Sequence, residues 1–270
     1  MKMNSYKKTF NELKKENKGA LVAFTVIGDP DYKTSLDIVK SIIDAGADIL
    51  ELGIPFSDPI ADGKTIQAAD MRALESGMNT DKAFDLIKNV RKYNGNIPIG
   101  LLVYGNLIYQ RGISKFYNDA AKSGVNSILA ADVPIEEASD YIKASRRNKI
   151  YTVFIISPLT SDERIKKIVS KTTGFVYVVS RLGVTGARAT LQDSTLKLIK
   201  RIRKYAKKPL CVGFGISKPE HVKAVIKAGA DGAIVGSAIV NLIENDINDK
   251  NKMLKSIKNY VSSMKKATKI

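Results

Sequence analysis

The chain has 270 residues, 44% of them hydrophobic, with 44 Lys+Arg against 27 Asp+Glu and a formal net charge of +17. This is ample apolar material for a core, yet no stretch approaches the roughly 20 uninterrupted apolar residues of a membrane span. The single cysteine, Cys211, excludes a disulfide framework and any multi-cysteine metal site, and its apolar run PLCVGFG marks it as a small buried hydrophobe.

The N-terminal MKMNSYKKTFNELKKENKG has no apolar segment after its basic residues, so no signal peptide is read and a cytoplasmic location is expected. Its amphipathic part, around Phe10 and Leu13, predicts a helix that closes one end of the fold. Short apolar runs then alternate with segments of helical period. ALVAFTVIG precedes SLDIVKSIIDAG, ADILELGI precedes AFDLIKNVRK, IPIGLLVYG precedes ISKFYNDAAKSG, and NSILAADVP precedes EEASDYIKASRR. YTVFIISP with ERIKKIVSK, GFVYVVSR with STLKLIKRIRKYA, PLCVGFGIS with EHVKAVIKAG, and GAIVGS with MLKSIKNYVSSM complete eight strand–helix units. Gly46, Gly124 and Gly229 stand where helices should end, since glycine tolerates the left-handed C′ conformation. Ser217 and Glu220 read as a capping box, with Pro219 in the first turn. Nearly continuous apolar strands suit a parallel sheet covered on both sides. The expected fold is a (β/α)8 barrel of the TIM type spanning 1–270 as one domain, with an extra N-terminal helix and a short extra helix after strand eight; a doubly wound open sheet is the alternative. Lysines spread along nearly every helical segment read as solvated faces, and no nucleic-acid function is expected.

Barrel function gathers at the C-terminal ends of strands. Glu51 lies inside the apolar second strand, sharing a face with Ile49, where a carboxylate is costly to bury and where desolvation favours its protonated form. Asp58 and Asp62 follow in FSDPIADG; each alone reads as turn chemistry, but a strand-end acid with a loop carboxylate suits acid/base work in two environments. Gly213, Gly215, Gly236 and Ser237, in the loops after strands seven and eight, are phosphate candidates. SRLGVTGARATLQD, residues 180–193, reads as a lid, and His221 at the start of the seventh helix reads as a surface residue away from the active end. Without clustered histidines or cysteines no metal site is expected.

Taken together, ELGIPFSDPIADG, PIGLLVYGNLIY, ADVPIEE, SRLGVTGAR, GFGISKPEHV and IVGSAIV resemble the tryptophan synthase alpha chain family over almost the entire chain. The resemblance implies retro-aldol cleavage of indole-3-glycerol phosphate to indole and glyceraldehyde 3-phosphate. It implies that Glu51 acts as acid/base at indole C3 and that Asp62 answers the indole N–H, with Tyr177 in support. Phe24, Leu102, Leu129 and Ile155, with Tyr104 nearby, match the indole pocket; Gly186, Gly215, Gly236 and Ser237 match phosphate contacts, and Thr185 matches the lid residue that closes toward Asp62. The implied partner is a beta chain carrying pyridoxal phosphate, in an alpha2-beta2 heterotetramer, met by the loop with Pro55, Phe56 and Asp58; the alpha chain itself is expected to hold no cofactor. Ala23, Val26, Lys64 and Leu182 depart from the family pattern.

Overall fold

The computed structural model describes residues 5–179 and 193–270. Helix α1 (Ser5–Lys15) is followed by β1 (Ala20–Val26), α2 (Tyr32–Asp44), β2 (Ile49–Gly53), α3 (Lys64–Glu75), α4 (Thr80–Tyr93) and β3 (Ile99–Val103). Next come α5 (Gly105–Arg111), α6 (Ile113–Ser123), β4 (Ser127–Ala130), α7 (Ser139–Arg147), β5 (Tyr151–Thr152), β6 (Phe154–Ile156), α8 (Asp162–Lys171) and β7 (Val176–Val179). The chain continues through α9 (Asp193–Arg203), β8 (Leu210–Gly213), α10 (Pro219–Lys227), β9 (Gly232–Val235), α11 (Ser237–Asn245) and α12 (Lys250–Lys266).

All strand pairs are parallel, in the order β5-β4-β3-β2-β1-β9-β8-β7-β6. The two ends of that order are adjacent in sequence, separated only by Val153, so the sheet closes into a barrel. The single fifth strand expected from YTVFIISP is therefore two short ones. Around residue 153 the ladder changes sides: the Val153 N–H reaches the Ile128 carbonyl at 3.3 Å, while the Thr152 carbonyl accepts from Thr173 and Gly174, both at 3.1 Å.

Period-two alternation sorts side chains between two cores. Val22, Ile49, Phe175, Tyr177, Cys211 and Ile234 fill the barrel, whereas Leu50, Leu52, Val176 and Val212 pack outward against helices. Helix α1 contributes Tyr6, Phe10 and Leu13 to the inner cluster, so its apolar stripe forms the barrel floor. Tyr6 reaches furthest in: its hydroxyl lies 2.7 Å from Ser127 Oγ, and its ring contacts Tyr151 and Phe175 at centroid distances of 5.5 and 5.7 Å. Gly46, Gly124 and Gly229 take φ of 95°, 99° and 102°, the left-handed helix stops expected of them. The short helix after the last strand is α11.

Several local readings are corrected. Helices α3 and α5 were not read from the sequence; α3 carries buried Asp70 among its apolar positions, which breaks the stripe, and α5 spans only 7 residues. The N-cap of α10 is Lys218 rather than Ser217, and no side chain caps that end. Pro219 explains the shift, because it pushes the preceding residue into extended backbone (φ −131°, ψ 152°), the conformation of an N-cap. His221 is buried rather than on the surface, and it faces the active end: Ser217 N–H donates to its Nδ1 at 3.3 Å, and the Gly215 carbonyl lies 3.2 Å from the same nitrogen. Among the described residues no helix is long and apolar enough to cross a membrane.

Candidate active site

The register of β1, β2 and β3 sets Phe24, Glu51 and Gly100 side by side on the inner face. Glu51 is 4% exposed, and its Oε2 has no hydrogen-bond partner among the described residues. Burial, reinforced by the charge of Asp62, pushes its carboxyl up to about 8, so it carries a proton at neutral pH. No cation is salt-bridged to it among the described residues, so nothing opposes that rise.

Asp62 sits on the loop after β2, in a turn closed by its N–H on the Pro59 carbonyl at 3.0 Å. The Tyr104 hydroxyl donates to Asp62 Oδ2 at 2.6 Å and accepts the Ala61 N–H at 3.1 Å, so one phenol fixes both the backbone and the carboxylate. Burial raises the Asp62 carboxyl above its ordinary value, and the Tyr104 bond, which favours the anion, works against that rise. Gln67 Nε2 donates to the Asp62 carbonyl at 2.8 Å, tying the loop to the first turn of α3. Two buried carboxyls are thus differentiated by their surroundings: one without a donor and protonated, the other clasped by a donor.

A cleft of about 690 Å³, counted to its open mouth, lies above them at the C-terminal ends of the strands. Phe24, Leu102, Ile155, Tyr177, Phe214 and Ile234 give it apolar walls, and Asp62 and Tyr104 form its polar side. Glu51 is not in the wall; it lies beneath, close enough to Asp62 and Tyr177 for their charges to act on one another. Leu129 pairs with Leu102 in register and lines an adjoining cleft with Asp132 and Phe154. At the opposite side the wall is formed by Gly215, Gly236, Ser237 and Ala238. Helix α11 begins there: the Gly236 carbonyl accepts from Ile239 at 2.7 Å and Val240 at 3.1 Å. The N–H groups before them have no intrahelical acceptor, which makes this end suited to an anion. Gly213 is not in the wall; a Cβ there would stand 2.8 Å from the Tyr177 hydroxyl, so its role is to admit that ring.

Phe56 is half-buried and stacks on Tyr104 with centroids 5.1 Å apart and planes 27° apart, beside buried Pro55. Asp58 is exposed; its side chain accepts from Ser57 Oγ at 2.5 Å and its carbonyl takes the Ile60 N–H at 2.9 Å. Thr185 and Gly186, with the loop 180–192 that carries them, lie outside the described residues. Sequence reasoning missed Ile66, Phe214, Ile216 and Ile234 in the wall. Ile234 was readable as an inward position of the last strand, while Ile66 was hidden with its unread helix. Among the described residues no group of three or more His, Cys, Asp or Glu could hold a metal ion.

Fold and cleft define a parallel (β/α)8 barrel with an acid-lined, anion-ready ligand site on its C-terminal face. Residues 10–269 match the tryptophan synthase alpha chain family, and the chain belongs to it. The tryptophan synthase alpha chain of Methanothermobacter thermautotrophicus is 52% identical over 92% of this chain and 92% of its own length. That of Vibrio vulnificus is 45% identical over 98% and 99%. Among solved structures, a chain of the tryptophan synthase α2β2 complex of Pyrococcus furiosus superposes with a TM-score of 0.85 at 40% identity, covering 92% of this chain and 98% of that one. The alpha chain of Legionella pneumophila gives 0.89 at 32% identity, covering 99% and 98%.

Proposed function

We propose that this barrel is the lyase subunit of tryptophan synthase, cleaving indole-3-glycerol phosphate to indole and glyceraldehyde 3-phosphate. The observation that carries the reading is the pair of unlike carboxyls: buried Glu51, protonated at neutral pH, beneath a cleft whose wall holds Asp62 under the Tyr104 hydroxyl. Glu51 delivers its proton to indole C3. The positive charge this creates on the ring is relieved at the ring N–H, which Asp62 accepts. The Glu51 carboxylate then takes the proton of the glycerol hydroxyl as the carbon–carbon bond breaks. The bond's electron pair returns to the ring, the hydroxyl-bearing carbon becomes the aldehyde, and Asp62 gives its proton back. The proton count closes, and Glu51 ends as it began.

The apolar walls suit the indole ring, with Phe24, Leu102, Ile155 and Tyr177 around it and Leu129 behind Leu102. Gly215 of the β8–α10 loop, with Gly236 and Ser237 at the head of α11, suits the phosphate; Thr185 and Gly186, outside the described residues, are the further phosphate and lid candidates that the family pattern implies. The partner is a beta chain carrying pyridoxal phosphate that receives indole in an alpha2-beta2 assembly, met by the loop with Pro55, Phe56 and Asp58. The setting is cytoplasmic, and the catalytic unit is one domain over 1–270.

Replacing Glu51 with Gln, assayed as indole release by the complex with its beta chain, should abolish turnover while substrate-analogue binding survives. Asp62→Asn should lower the rate by about 100-fold or more, the scale of a lost general acid/base group. Near-full turnover by Glu51→Gln would end the assignment.

A further inference from the structure

His221 is the single histidine of the chain, it is 5% exposed, and the mechanism above makes no use of it. Its contacts lie in the loop that carries Gly215. Strand β8 ends at Gly213, and the next two residues both take left-handed backbone, Phe214 at φ 66° and Gly215 at φ 84°. Glycine adopts that conformation at no steric cost, but phenylalanine does not, so the segment needs contacts from outside to hold it. Phe214, Gly215 and Ile216 all stand in the cleft wall, which makes the shape of this segment part of the site.

Two helices supply those contacts. His221 is the third residue of α10; its Nδ1 accepts the Ser217 N–H at 3.3 Å and lies 3.2 Å from the Gly215 carbonyl oxygen. In a capping box a Glu or Gln at this third position reaches back to the N–H of the N-cap residue. Here the imidazole reaches one residue further upstream, at a helix start that no side chain caps in the ordinary way. The same nitrogen accepts from Ser217 when bare and can donate to Gly215 when it carries a hydrogen, so either form of the ring bridges to the segment. From α12, the Tyr260 hydroxyl donates to the Ser217 carbonyl at 3.2 Å. The Phe214 ring is held separately, edge-on to Tyr177 with centroids 6.4 Å apart. Ring packing thus fixes the indole side of the loop, and hydrogen bonds fix residues 215–217.

We propose that His221 is a positioning residue for the phosphate: from the first turn of α10 it pins residues 215–217, so that Gly215 keeps its place in the cleft wall with Gly236 and Ser237. Tyr260 supplies the second tie. The inference rests on the reading of these two glycines and Ser237 as the phosphate contacts. Its consequence is selective, because loosening the segment weakens ligands that carry the phosphate and spares those that fill only the apolar walls.

The test compares His221→Leu with His221→Gln in the complex with the beta chain, with indole-3-glycerol phosphate as substrate. Two competitors are titrated against it: glycerol 3-phosphate, which has the phosphate without the ring, and 3-propylindole, which has the ring without the phosphate. Leucine fills much of the imidazole's space without a hydrogen-bonding atom. It should raise KM and weaken inhibition by glycerol 3-phosphate about three- to tenfold, the scale of one lost neutral hydrogen bond, with kcat changed less than KM and inhibition by 3-propylindole unchanged. Glutamine restores an acceptor at the same helix position and should recover most of the loss. Tyr260→Phe keeps its ring, loses only the donor to Ser217, and should show the same selectivity. The proposal is overturned if leucine leaves glycerol 3-phosphate inhibition unchanged, if it weakens both competitors equally, if it lowers kcat with KM unchanged, or if glutamine is as damaging as leucine. Should the leucine variant fail to fold, unchanged glycerol 3-phosphate inhibition in Tyr260→Phe overturns it instead. The unmodified complex separates the two levels: if glycerol 3-phosphate does not compete with substrate there, the phosphate reading itself has failed, whereas if it competes equally well in His221→Leu, only the His221 inference falls.

Discussion

Tyr104→Phe removes one oxygen atom and should move one side of the pH profile while leaving the other in place. The phenylalanine ring can still stack on Phe56, so the cleft wall is kept. What is lost is the 2.6 Å hydroxyl–carboxylate bond to Asp62. Hydrogen bonds to charged groups contribute about 1.5–3 kcal/mol, and each pH unit of titration corresponds to about 1.4 kcal/mol. Because the bond favours the Asp62 anion, its loss raises that carboxyl further by about one to two pH units. In the proposed mechanism activity requires Asp62 ionised and Glu51 protonated, so the profile of kcat/KM, which reports the free enzyme, is a bell with its alkaline side set by Glu51, near 8. The variant's acid side should shift upward by that one to two units, narrowing the bell, so the loss reaches about tenfold or more down the acid limb and is smallest toward the alkaline side. The alkaline side is set by Glu51, whose rise comes from burial and Asp62 and not from Tyr104, so that side should stay where it is. The measurement is kcat/KM for indole release by the complex from pH 5 to 10. An acid side that does not move, or a parallel shift of both sides, would refute the assignment of these two carboxyls to opposite limbs.

Two further outcomes follow from buried charge. Glu51→Gln should stabilise the protein in alkaline solution: a carboxyl whose folded value is raised from 4.5 to about 8 supports the fold fully at low pH and loses that contribution as pH rises to about 8. Chemical denaturation should show a gain of at most about 4 kcal/mol at pH 8 that vanishes near pH 4; equal gains at both would show that packing, not titration, is responsible. Arg72→Met leaves Asp29 buried without its cation and should cost about 3 kcal/mol. Since burial already raises the Asp29 carboxyl despite Arg72, the loss should be smaller at pH 5, where a proton can replace the cation, than at pH 8.

The barrel was legible because each strand announces itself by an apolar run, and three of them also by the glycine that stops the helix before, Gly46, Gly124 and Gly229. What was not legible depended on contacts between distant residues or on one residue's backbone. The break at Val153 reflects a change of neighbouring strands, and nothing in YTVFIISP encodes which neighbour each residue meets. Ser217 and Glu220 have the spacing of a capping box, but the conformational restriction imposed by Pro219 moves the helix start by one residue. Glu51 could be singled out from sequence because a carboxylate in an apolar strand must be explained locally. Tyr104 could only be placed near the pocket, because its bond to Asp62 joins residues 42 positions apart. Asp70 was hidden for a related reason: α3 was not read as a helix, and an aspartate in a supposed loop raises no question.

The excess of positive charge sharpens the meaning of those acids. With 44 lysines and arginines against 27 acids, a carboxylate in this chain has abundant potential cationic partners. Elsewhere they are used: Lys265 lies 2.6 Å from Asp48, Arg72 binds Asp29, and Lys252 binds Asp246. Around the cleft, among the described residues, they are withheld, so Glu51 and Asp70 keep protons at neutral pH and Asp62 depends on a neutral phenol. A lysine or arginine beside Glu51 would hold it ionised, removing the proton that the proposed mechanism delivers to indole C3. Beside Asp62 it would stabilise the carboxylate so well that it became a weaker acceptor for the ring N–H. The proposed chemistry therefore depends on keeping cations away from these two carboxyls as much as on supplying acids, and the burial of Glu51 without a cation among the described residues makes this face of the barrel costly to fold at high pH.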